Sequence, residues 1–205
     1  MRGGKSKFLF VGLMLMIGLR HVAAAQEGSG KAGGQGEIDA KAASRVTLGF
    51  SSGTPGGSVV VPIYFTPAEN VEVGRLTLEV NYVSVNMKFS KLDPGTEMGN
   101  VDFHADVKEG KNDKEVDTQT LTIIASIPTP PTPKKGIPEG LLGYLNLKIS
   151  ETGRAASITL RASVKADELG TNKPIQNIRI SDSQVDVVPL GDMPPAAVSC
   201  FFFSH

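Results

Sequence analysis

The sequence predicts an all-β protein: a two-sheet sandwich of nine strands forming a single domain over residues 45–188. Three observations lead there. Short runs rich in Val, Ile, Leu and Tyr recur at regular spacing with Gly, Pro and polar residues between them. Within the runs, apolar and polar side chains alternate: Leu76, Leu78, Val80 and Tyr82 fall on one face, Arg75, Thr77, Glu79 and Asn81 on the other, as in a strand packed on one side and wet on its back. No segment of useful length carries the 3.6-residue period of an amphipathic helix.

The chain opens with an export signal over residues 1–25. Arg2, Lys5 and Lys7 make its start positive, Phe8 to Leu19 is an apolar run broken by Gly12 and Gly18, and Ala23-Ala24-Ala25 offers the small residues a signal peptidase accepts. A membrane anchor that is never cut is the alternative: the run is shorter than the ~20 residues of a span, while Arg20 and His21 are untidy for a signal. Residues 26–44 hold five Gly among small and charged residues. With almost nothing apolar to bury, they read as a flexible leader.

Candidate strands then cover 45–50, 58–65, 73–82, 86–91, 101–107, 119–127, 141–150, 157–164 and 176–188. Ile158, Leu160, Ala162 and Val164 repeat the alternation against Thr159, Arg161 and Ser163, whereas Val59-Val60-Val61 is apolar on both faces and points to a strand covered on both sides. Thr54-Pro55-Gly56-Gly57 sets a tight turn, because Pro fixes φ at one corner and Gly accepts the positive φ that follows. Asp93-Pro94-Gly95 reads as a second turn. Between Ile127 and Gly140, Pro128, Pro130, Pro131, Pro133 and Pro138 remove backbone donors, which predicts an exposed, partly polyproline loop. Residues 189–205 form a tail in which Cys200 precedes Phe201-Phe202-Phe203. Its readings are a segment folded back on the sandwich, an accident of where the reading frame stops, or an attachment signal using the thiol.

Composition narrows the function. Cleavage after Ala25 takes four of the 21 basic side chains and none of the 21 acidic ones, so the mature chain is mildly acidic and has no basic footprint for nucleic acid or an anionic membrane. Cys200 is the only cysteine; stability must come from a core, and a domain of about 145 residues buries about 68% of the surface its unfolded chain exposes. The only histidines are His21, His104 and His205, and neither a Gly-x-Ser-x-Gly elbow nor a histidine pair for a metal is present. His104 reads as a surface imidazole. The acidic residues Asp102, Asp106, Glu109, Asp113, Glu115 and Asp117 are interleaved with Lys108, Lys111 and Lys114, a pattern of solvated strand and loop; a calcium site is the alternative, without the Asp-x-Asp-x-Asp-Gly spacing. Asp167 to Asn172 reads first as a turn. The expectation is a protein that is not an enzyme, with no cofactor and no metal.

Several motifs together resemble cohesin domains. Gly53-Thr54-Pro55-Gly56-Gly57 ahead of Val59-Val60-Val61-Pro62-Ile63-Tyr64-Phe65 is similar to the family's turn and Val-x-Val-Pro-Val-x-Phe strand. Leu76 to Tyr82 resembles its alternating third strand, Gly140 to Ile149 its Gly-Val-Leu-Ala-x-Ile strand, and Ser183 to Val188 its closing strand. The resemblance covers about residues 45–188 and implies a nine-stranded jelly-roll sandwich. It also implies a secreted, periplasmic or cell-surface module that docks a dockerin-bearing protein partner through one flat sheet face, in polysaccharide degradation or surface assembly. On this chain the outward residues of that face would be Arg75, Thr77 and Glu79, with Thr122 and Ile124 from the sixth run. The chain departs from the family after Tyr82, where Val83-Ser84 replaces Asp-Pro, and at Arg75 and Thr77, which align with the polar Asn and Asp of type I cohesins. Two other readings stay open: a carbohydrate-binding module, whose outward aromatics would be chiefly Tyr64 and Tyr144, and a structural subunit of an envelope complex that pairs its edge strands or its Cys200 tail.

Overall fold

Side-chain alternation becomes two stacked sheets in a computed structural model that describes residues 42–128 and 135–189. The expected export signal, most of the expected leader, the central prolines of the 127–140 segment and the residues around Cys200 lie outside the described residues. The strands are β1 (Ser44–Leu48), β2 (Ser51–Gly53), β3 (Ser58–Thr66), β4 (Val73–Val83), β5 (Met87–Pro94), β6 (Asp102–Lys111), β7 (Asp117–Ser126), β8 (Gly140–Ile149), β9 (Ala156–Glu168), β10 (Ile178–Ser181) and β11 (Ser183–Val187), with one 3₁₀ turn at Thr96–Met98. One sheet has the order β10-β1-β3-β8-β5, the other β2-β11-β9-β4-β7-β6. Each connection carries the chain from one sheet to the other except the β6–β7 hairpin, which is the jelly-roll pattern of an all-β sandwich.

The inward residues of both sheets meet in one core. Leu76, Leu78 and Val80 from β4, Leu121 and Ile123 from β7, Leu145, Leu147 and Ile149 from β8, and Val61 and Ile63 from β3 are all buried. The Thr54–Gly57 turn forms as expected: the Gly57 N–H donates to the Thr54 carbonyl at 2.9 Å, and Gly56 has φ of 77°.

Nine expected runs become eleven strands among the described residues because the last run divides between the two sheets and β2, just past the first run, is a further strand that was not expected. β1 lies in one sheet and β2 in the other, with the break at Gly49, where an added Cβ would stand 2.6 Å from the Pro62 side chain. β10 and β11 part in the same way at Asp182, whose carboxylate accepts the Ala162 N–H at 2.8 Å. The two breaks are tied together, since the buried Ser183 hydroxyl donates to the Gly49 carbonyl at 2.6 Å. Two smaller expectations are corrected. Val60 faces solvent although β3 is a central strand, because its outer face is uncovered. Asp93 and Pro94 continue β5, an edge strand where a missing N–H is tolerated; the chain turns afterwards at Thr96–Met98.

Candidate docking face

The outer face of the six-stranded sheet is a lattice of side chains set by strand register. β4 lies between β7 and β9, and β6 flanks β7. Arg75 is opposite Ser126 on β7 and Asp167 on β9; Thr77 is opposite Ile124 and Lys165; Glu79 is opposite Thr122 and Ser163; Asn81 is opposite Thr120 and Arg161. On the far side of β7, Asp102, His104, Asp106 and Lys108 continue the same four rows. Opposed residues in neighbouring antiparallel strands carry Cβ atoms about 5 Å apart. Regular pairing therefore brings all five residues expected from the sequence together: Thr77 beside Ile124, Glu79 beside Thr122, and Arg75 one row away.

The same alternation that turns these side chains out turns their neighbours in. Leu76, Leu78 and Val80, each between two of the outward residues, are fully buried, so the face cannot rotate without exposing the core. Asn81 donates to the Thr120 hydroxyl at 2.7 Å, which fixes the last row. A shallow depression of about 370 Å³ opens among Glu79, Asn81, Lys108, Thr118, Thr120 and Thr122.

Charges on the face are largely unspent. Among the described residues the ion pairs are Lys91–Asp93, His104–Asp102 and Lys111–Glu115, so Arg75, Glu79, Asp106, Lys108, Arg161 and Lys165 are not held in pairs. Such residues keep their hydration when the face is free and can be matched by a partner of complementary pattern. The resemblance places the third, fifth and sixth runs, here β4, β6 and β7, on this face but names no outward residue of β6, and the contribution of β9 was not anticipated from sequence. The outward parity of β6 and β9 is readable, but which strand lies beside which is decided by pairing over long separations.

Other candidates resolve simply. His104 Nδ1 lies 3.1 Å from Asp102 Oδ1 on an exposed strand. The acidic cluster belongs to the β6–β7 hairpin, where the Asn112 side chain accepts the N–H groups of Lys114 and Val116 and closes the turn. Among the described residues, no group of three or more His, Cys, Asp or Glu is arranged to hold a metal ion, and no helix is long and apolar enough to cross a membrane. Of the expected turn at Asp167–Asn172, Asp167 and Glu168 end β9 and the chain turns at 169–171, with Gly170 at φ of 77° and Asn172 at 53°.

No family model matches the chain, and no curated protein does. Solved structures do. The third cohesin of ScaC from Acetivibrio cellulolyticus, solved in complex with the ScaB dockerin, superposes with a TM-score of 0.54 at 17% identity, covering 71% of this chain and 99% of that one. This is a cohesin-like sandwich. The cohesin-like fold is also matched by the solution structure of CaCohA2 from Clostridium acetobutylicum, with a TM-score of 0.54 at 18% identity over 72% of this chain and 92% of that one. A non-cellulosomal cohesin from the archaeon Archaeoglobus fulgidus gives 0.52 at 16% identity over 72% and 92%.

Proposed function

We propose that this cohesin-like sandwich is a non-catalytic docking module that binds a partner protein of dockerin type through the outer face of its six-stranded sheet. The observation that carries the reading is the register that sets Thr77 against Ile124 and Glu79 against Thr122, with Arg75 one row away, on a face where Arg75 and Glu79 take part in no ion pair among the described residues. The shared fold with a cohesin solved in complex with a dockerin supports it. A flat antiparallel face suits a helical partner because its side chains stand in rows that can interleave with a helix surface. On this reading residues 1–25 are removed on export, residues 26–44 are a tether, and residues 45–188 act outside the cell or at its surface, in polysaccharide degradation or surface assembly.

Calorimetric titration of the purified protein with dockerin-bearing proteins from the same genome tests this. Binding is expected with at least one, and Arg75→Glu or Glu79→Arg should each weaken it by about 1–2 kcal/mol, the range of well-placed interface residues, without changing the melting temperature. Flat titrations against all of them would remove the dockerin assignment.

A second reading has its own observation. Tyr64, 41% exposed, and the partly exposed Tyr144 share the outer face of the five-stranded sheet, where Pro62 stands opposite Tyr144 and Tyr64 opposite Leu141. Aromatic rings on such a face can stack on a polysaccharide. Retention on insoluble polysaccharide that is lost in Tyr64→Ala would favour this reading, and free passage of the wild type through the column would end it.

A further inference from the structure

The outer side chains of β6 extend the docking face, but its free backbone edge is used by neither reading. The strand ends the six-stranded sheet, pairs with β7 from Asp102 to Lys111, and contains no proline. From Asp106 onward every residue is exposed. Val107 is 44% exposed although it stands opposite the buried Leu121 and shares its inward parity, so this half of the strand runs past the cover of the other sheet. The Asn112 N–H donates to the Val116 carbonyl at 3.0 Å. Even-numbered residues of β6 therefore turn their peptide groups toward β7, and Phe103, Ala105, Val107, Glu109 and Lys111 turn theirs to the free side. A long edge of this kind is a template for another strand.

We propose that β6 pairs antiparallel with β6 of a second copy of this chain, about a two-fold axis at Val107. In this register Val107 faces Val107, Ala105 faces Glu109 and Phe103 faces Lys111 at the hydrogen-bonded positions. At the intervening positions, where side chains approach most closely, Asp106 faces Lys108 twice and His104 faces Gly110. Among the described residues, neither Asp106 nor Lys108 takes part in an ion pair within the monomer. Sliding the register by two residues sets Asp106 against Asp106 or Lys108 against Lys108, which like-charge repulsion disfavours; larger shifts shorten the ladder. The charge order of the edge thus selects a second copy in a single register. Because the axis is perpendicular to the sheet, the outer faces of both copies lie on the same side of one continuous sheet.

Sedimentation velocity on the full-length protein over a concentration series, under reducing conditions that exclude a Cys200 disulfide, tests the pairing. A dimer that forms with rising concentration is expected. Asp106→Lys and Lys108→Asp should each weaken it by about tenfold or more, because each turns two attractive cross-strand pairs repulsive. The double variant carrying both should recover the wild-type dimer, and Val107→Lys should prevent it by placing like charges across the axis. All three positions are exposed, and unchanged circular dichroism verifies the fold of each variant. A wild type that stays monomeric throughout, a dimer indifferent to the single substitutions, or a double variant that fails to recover would each overturn the proposal.

Discussion

Tyr82 and its partner Gln119 tie four strands together. Tyr82 ends the inward series of β4 and is almost fully buried, yet its hydroxyl needs an acceptor, which Gln119 of β7 supplies. The same Gln119 oxygen accepts the Phe89 N–H of β5 at 2.9 Å, and its amide donates to Glu109 of β6 at 2.7 Å. Burial holds the phenol well above its ordinary range; the nearby Glu109 charge adds to this and the Phe89 N–H opposes it. A phenol raised in the folded state contributes its full stability below the ordinary tyrosine value of about 10 and loses it as pH climbs from there, since the unfolded chain gives up a proton that the folded chain keeps. Tyr82→Phe should cost about 1 kcal/mol in denaturant unfolding at neutral pH, the worth of one buried hydrogen bond, and should flatten the alkaline decline seen in the wild type.

Among the elements, the paired breaks at Gly49 and Asp182 matter most. Ser183 joins them through its bond to the Gly49 carbonyl. Ser183→Ala leaves that half-buried acceptor unpaired and should lower unfolding free energy by about 1 kcal/mol in urea titration, with the m-value unchanged. The alternation of β4 and β9 was legible from the amino acids because a period of two with one wet face has a single reading. The sheet changes were not legible: residues 176–188 look like one continuous strand, nothing after the run 45–50 marks Ser51–Gly53 as a strand of the other sheet, and the first break depends on Gly49 meeting Pro62 from another strand. The docking face divides in the same way. Arg75, Thr77, Glu79, Thr122 and Ile124 followed from parity, while the Asp106, Lys108, Arg161 and Lys165 surroundings followed only from strand order. Val60 misled for a related reason, since an outward Val on an uncovered face differs in no local feature from a buried one.

At the scale of the molecule, the two sheets depend on each other through a core that neither owns. Ile123, fully buried directly behind the docking face, separates stability from recognition: Ile123→Ala should cost about 2–5 kcal/mol in thermal or chemical unfolding, whereas the neighbouring outward substitutions should leave that transition in place. The first two strands lie alongside the last two. β1 runs parallel to β10, and β2 parallel to β11. Traction applied in opposite directions to the two ends of the sandwich would slide these ribbons lengthwise, straining their hydrogen bonds together instead of peeling them singly. Ribbons loaded lengthwise in this way should yield only at a higher force than ribbons that unzip.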